Sequence, residues 1–153
     1  DEEAHTYEHS LEVQLPFLQK LQQNLSIVPL TLGHLSYDTC EEIAELLYRS
    51  IVEYGEKILI VASTDMSHYE SRPVAEVKDR LALNAIMAMD PQTLYSTVHK
   101  NKISMCGVIA VVITLLICQK MGAKKPRLLD YMDSGSISGD TDQVVGYAGV
   151  IIQ

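Results

Sequence analysis

Five apolar residues, Ile58 to Ala62, run unbroken into Ser63, Thr64 and Asp65, with His68 three positions further on. A short run of this kind reads as a strand buried on both faces, which calls for a sheet with helices on each side. In such sheets ligands collect just beyond the carboxyl ends of the strands. Asp65 and His68 therefore stand where chemistry is expected, and the remaining chain reads as scaffold and partners for their loop.

The 153 residues suit a single domain over 1–153 with a real core, and 47% hydrophobic against 21% charged residues is a globular balance. A formal charge of −8 argues against nucleic acid or an anionic membrane surface as partner. Lys120, Lys124, Lys125 and Arg127 read as a helix C-terminus and the loop after it. Cys40, Cys106 and Cys118 are odd in number and have no Cys-x-x-Cys spacing, which fits a reducing compartment, the cytoplasm, better than a disulfide framework or zinc knuckle. The longest apolar run, Met105 to Cys118, falls short of the roughly 20 residues that cross a bilayer, so it reads as a buried helix. A start at Asp1 rather than Met fits a processed or cut piece of something longer.

Leu11, Leu15, Leu18 and Leu21 predict an amphipathic helix within 8–24, bent at Pro16 or beginning near Leu15. Ser26–Leu32 is a strand candidate, with Pro29 set against a regular ladder. Asp38 or Thr39 can cap a helix carrying Ile43, Leu46, Leu47, Ile51 and Val52, ended by Gly55. Pro73 opens a helix to about Met89 with Val77, Leu81, Ile86 and Met87 inward, and Asp90-Pro91 opens a shorter one through Val98. After the buried helix, stopped by Gly122, come a strand at Arg127–Met132, a polar loop at Asp133–Asp142 and a final strand at Gln143–Ile152. Strands alternating with helices indicate an α/β fold, a sheet covered on both faces.

Asp65-x-x-His68 can supply a metal ligand and a general acid or base, since imidazole titrates near neutral pH and a carboxylate can orient it or hold a cation; the alternative is a turn Asp and a surface His. Cys106 opens the buried helix with Gly107 behind it. Free N–H groups at a helix start favour a thiolate, the form that binds metals; the alternative is a small core hydrophobe. His5-Thr-Tyr-Glu8-His9 fits H-x-x-E-H, a zinc-protease pattern that needs both histidines on one helix and a third ligand, for which Glu70 or Glu76 is available. The plainer reading is a solvated approach to the first helix. The loop at Asp133–Asp142 lacks the Lys of a phosphate cradle and the closing Glu of a calcium loop, and reads as a long turn. His34 and His99 read as surface residues.

Several stretches, in order along the whole chain, resemble the MEMO family, in particular the microbial members called AmmeMemoRadiSam system protein B. They are Glu8-His-Ser-Leu-Glu-Val-Gln-Leu-Pro16, Ser63-Thr-Asp-Met-Ser-His68, Cys106-Gly107, and Tyr131-Met-Asp-Ser-Gly through Ser138-Gly-Asp to Val144-Val-Gly-Tyr-Ala-Gly149. The resemblance implies a fold similar to class III non-haem iron extradiol dioxygenases, a three-layer αβα arrangement on a largely buried mixed sheet, truncated here at the N-terminus. It implies a metal pocket in which Asp65 and His68 fall on an Asp-x-x-His pair and Cys106 on a cysteine ligand, with His68 as the acid/base group. Glu8 and His9 match a stretch expected near that pocket. Two further histidines belong to an N-terminal half that this chain lacks, so the expected partner is that missing half or a second copy.

The leading expectation is a pocket for iron or copper, with zinc open to the same donors, performing metal-dependent oxidation of a small molecule. A non-catalytic protein binding a peptide or small ligand is the second reading, and an H-x-x-E-H zinc protease the third.

Overall fold

A computed structural model describes residues 3–153. Their contacts divide the chain into two units, one ending at His34 and one spanning Leu35–Gln153, each described by itself.

In the first unit, single 3-10 turns at Glu3–His5 and Glu12–Gln14 lead to α1, Leu15–Leu21. Pro16 falls in the first helical turn, where a missing N–H leaves no partner unmet, so the helix begins at Leu15. Ser26–Leu32 is not a strand. Pro29 removes a donor in mid-run, and no described residue of this unit is buried, so nothing rewards an extended apolar face.

The second unit opens with α2, Tyr37–Tyr54, whose N-terminus is capped by Ser36 accepting from the Thr39 N–H at 3.1 Å. The cap thus lies two positions before Asp38 and three before Thr39. Gly55 closes the helix at φ +74°, a left-handed position that suits glycine. Then follow β1 (His68–Glu70), α3 (Arg72–Met87), α4 (Pro91–Lys100), α5 (Val108–Lys120), β2 (Pro126–Asp133), α6 (Gly135–Ser138) and β3 (Val144–Ile152).

Helices and sheet together give the α/β class expected from the sequence. Among the described residues the sheet has the order β1-β3-β2, and both of its pairings are antiparallel. The Ile58–Ala62 run, expected as a buried strand, forms no ladder here. A strand exists only against a neighbour, and β-propensity alone cannot supply one. Leu59 is instead 75% exposed.

The core centres on α5, which packs against α2 and α4 and buries Val112, Ile113, Leu115 and Ile117. Helix α3 lies against β2 and β3. Its buried face is Ala75, Asp79, Ala82, Leu83 and Ile86, whereas Val77, expected inward, is 63% exposed and Leu81 is exposed too. Ile86 is buried as expected, but small alanines and one acid fill much of the inner stripe, so ranking positions by hydrophobicity misplaces Val77 and Leu81. None of the described helices is long and apolar enough to cross a membrane.

Two local devices fix the ends of these elements. Asp90 caps α4 by accepting from the Thr93 N–H at 2.9 Å and its hydroxyl at 2.7 Å, bonds that hold its carboxyl below the usual range. Asp133, buried at the end of β2, takes Arg72 Nε and Nη2 as a bidentate pair at 2.7 Å each and also accepts from Ser136 N–H. The Arg72 guanidinium holds the Asp133 carboxyl below its ordinary value. With Arg72 N–H donating to Thr141 O at 2.9 Å, this pins the polar loop to the start of α3.

Replacing Asp90 by Ala is expected to lower stability by about 1 kcal/mol, the usual loss of a helix cap, read by chemical denaturation. Asp133→Asn is expected to lower Tm at pH 7. A depressed carboxylate stabilises above its unfolded value and loses that contribution as it protonates in the native state. The gap between wild type and Asp133→Asn should therefore close as pH falls below about 4, with thermal melts across pH as the measure.

Candidate functional site

Two loops approach each other in the second unit, one carrying the Asp65 and His68 side-chain pair and the other bringing the Cys106 sulfur to the backbone of Asp65. Asp65 and His68 lie in the segment leading into β1, and Cys106 lies just before α5. The Asp65 N–H donates to Cys106 Sγ at 3.3 Å, and Thr64 Oγ1 lies 3.7 Å from the same sulfur. His68 Nε2 stands 3.5 Å from Asp65 Oδ2. The family resemblance put these residues in one pocket, and within this unit Asp65 lies beside both His68 and Cys106.

The imidazole is held from behind. His68 N–H donates to Ser104 Oγ at 2.7 Å, and His68 Nδ1 lies 2.7 Å from Ser104 O. A carbonyl only accepts, so Nδ1 carries the proton and Nε2 is turned to Asp65. A neutral His68 therefore points a lone pair at a carboxylate. Two acceptors facing each other at that separation leave room for a group that satisfies both, whether a donor, a second proton on Nε2 or a cation. Ser104, which sets this tautomer, went unnoticed in the sequence; its only signal is a small polar residue two places before Cys106.

The backbone of β1 adds a second constraint. Pairing with β3 shifts register between His68 and Glu70, and the intervening Tyr69 sits at φ +56° with its ring exposed. A bulge of this kind re-aims the flanking side chains. The His68 and Tyr69 rings lie 6.1 Å apart, so an exposed aromatic stands beside the imidazole.

Gly107 explains how two loops approach so closely. A Cβ at that position would lie 2.5 Å from Ser63 O and 2.6 Å from Thr64 Cβ. The space is used by a relay in which Gly107 N–H donates to Thr64 Oγ1 at 2.8 Å and Thr64 Oγ1 donates to Asp65 O at 2.8 Å. Of the three cysteines, Cys40 is buried, Cys118 half-buried and Cys106 exposed. Burial pushes the Cys40 and Cys118 thiols up, which leaves them protonated.

Glu8 and His9 belong to the first unit. Hydrogen bonds from the Ser10 side chain and from its N–H lower the Glu8 carboxyl, and His9 Nδ1 lies 3.0 Å from Glu12 Oε2. His5 contacts Thr31 Oγ1 at 3.1 Å, and its 3-10 turn ends before Glu8. The H-x-x-E-H segment is therefore not one helix, and the i, i+4 face that a zinc protease needs is not formed. Glu70, offered as a third ligand, pairs with Lys78, and Glu76 sits on the exposed face of α3. Among the described residues, no three or more His, Cys, Asp or Glu side chains are grouped so as to hold a metal ion.

An α/β chain with a carboxylate, an imidazole and a thiol brought to one corner is the class that fold and site define. A family model described as Memo-like protein matches residues 1–151, and the chain belongs to that family. It is 38% identical to a MEMO1 family protein of Methanosarcina acetivorans, with all of this chain and 58% of the relative covered. The figures are 39%, all of the chain and 55% for one from Methanocaldococcus jannaschii. For Metallosphaera sedula they are 41%, 96% of the chain and 52% of the relative. The chain thus spans a little over half the length of these relatives.

Gly107→Ala is expected to force the 63–65 backbone away from Cys106, costing about 1–3 kcal/mol as other overpacking does. Thermal denaturation measures the loss, and Cys106 alkylation should change in rate while Cys118 does not. An unchanged melting point would mean that the contact is not constraining.

Proposed function

We propose that Asp65, His68 and Cys106 form one part of a metal-binding pocket, for iron or copper with zinc open to the same donors, in a protein that oxidises a small molecule. What supports it is the pairing of His68 Nε2 with Asp65 Oδ2 at 3.5 Å while Nδ1–H is committed to Ser104 O. That geometry suits a cation placed between the two groups. A backbone acceptor behind a metal-binding histidine is the usual way its free nitrogen is aimed.

The donor types fit such an ion, and the set is partial: carboxylate, imidazole and thiol, with further donors coming from the rest of the protein. Asp65 and His68 would hold the ion, with Cys106 as the soft donor. A bound iron or copper would supply redox chemistry that side chains lack. The chain's own contributions are of a different kind. His68 keeps the Nε2 lone pair free for the ion, because its other nitrogen is already committed as a donor to Ser104 O. Thr64 and Gly107 hold Asp65 at the sulfur.

The rest of the protein also has a place to pack. Ile58–Ala62, the C-terminal half of β3 and α5 line a groove of about 640 Å³, open beside the exposed Leu59. Covering it with a strand from the longer protein would give the apolar run the neighbour it lacks.

Metal analysis of the full-length protein tests the reading. Iron or copper is expected to co-purify, and Cys106→Ser and His68→Ala should each weaken binding by about tenfold or more. Metal retained in full by both variants would contradict the proposal. Metal bound without oxygen uptake on any candidate substrate would favour the non-catalytic reading.

A further inference from the structure

Asp79 is an acid in the middle of α3, 0% exposed, and the site as described makes no use of it. Its Oδ1 accepts from Ser67 N–H at 2.8 Å and from the Ser67 hydroxyl at 2.6 Å. Its Oδ2 accepts from the Tyr131 hydroxyl at 2.8 Å. These three donors are neutral, so the charge is met by convergent hydrogen bonds rather than by a salt bridge. Burial, with the Asp79 carboxylate beside it, pushes the Tyr131 hydroxyl well up, which keeps it a donor.

Room for the carboxylate is made by a glycine. A Cβ on Gly146 would meet Asp79 Oδ2 at 2.0 Å. Gly146 N–H donates to Ser67 O and Met66 N–H to Gly146 O, each at 2.9 Å. Met66 and Ser67 are thus clamped between α3 and β3, immediately before His68. A buried carboxylate is costly to keep, and an apolar side chain would fill the same space at less expense. What an apolar residue could not do is take both Ser67 donors on one oxygen and so fix the backbone that enters His68.

We infer that Asp79 is a positioning residue: through Ser67 it sets the orientation in which His68 offers Nε2 to Asp65 and the Cys106 corner. The importance of that orientation rests on the proposed metal pocket, but its existence can be read without metal. Charge is not the essential element, because an amide oxygen can accept the same two Ser67 bonds while Tyr131 turns to accept from the amide nitrogen.

The test is the His68 side chain by nitrogen NMR, on metal-free full-length protein, at a pH where the ring is neutral. Wild type and Asp79→Asn are expected to show the single Nδ1–H tautomer. In Asp79→Ala, and in Gly146→Ala where the added methyl displaces the carboxylate, that signature should be lost to exchange between both tautomers. A folded Asp79→Ala or Gly146→Ala that keeps the single tautomer would overturn the inference. So would Asp79→Asn losing it as fully as Asp79→Ala. If neither alanine variant folds, Asp79 is a residue of the core alone and the inference fails. Should the wild type bind no metal while Asp79→Ala still scrambles His68, the pocket reading falls and the positioning role stands.

Discussion

The absent methyl group at Gly107 determines where the segment 63–68 can lie. With only a hydrogen there, the backbone at Ser63 and Thr64 comes within a distance that any side chain would forbid. Two bonds then lock the approach, Gly107 N–H to Thr64 Oγ1 and Asp65 N–H to Cys106 Sγ. Interiors are packed too tightly for a loop to shift by half an ångström without consequence. The thiol, the carboxylate and, three residues on, the imidazole inherit their places from this contact.

Around it the chain builds a frame from both directions. Helix α5, buried along most of its length, follows directly on Cys106 and Gly107 and cannot rotate without disturbing α2 and α4. From the other side β3 and α3 grip Met66 and Ser67 through Gly146 and Asp79. His68 therefore follows a fixed backbone, and the Ser104 carbonyl fixes its ring. Sites whose geometry must be held within fractions of an ångström are built in this way, with supporting residues locked by their own packing and hydrogen bonds.

Local signals in the sequence translated well into structure. Pro16, Gly55 and Asp90 act through their own backbone and nearest neighbours, so the start of α1, the end of α2 and the cap of α4 fall where the residues say. Asp65, His68 and Cys106 were legible as a group only through the resemblance of ordered motifs, since nothing in residues 65 and 106 alone indicates that they touch. Non-local partners account for what was missed. Ile58–Ala62 has the composition of a strand but no neighbour to pair with among the described residues. Val77 and Leu81 looked like the inner face of α3 because Ala75, Asp79 and Ala82 do not look like a core. Asp79 reads as a surface acid until Ser67, Tyr131 and Gly146, from three other places in the chain, are seen around it.

The central claim, that a metal sits where His68 and Asp65 converge and takes Cys106 as a donor, is tested most directly by X-ray absorption at the metal edge of the iron- or copper-loaded full-length protein. The account predicts a sulfur scatterer in the first coordination shell together with imidazole, and loss of the sulfur alone in Cys106→Ser. A first shell of nitrogen and oxygen only, unchanged by that substitution, would contradict it.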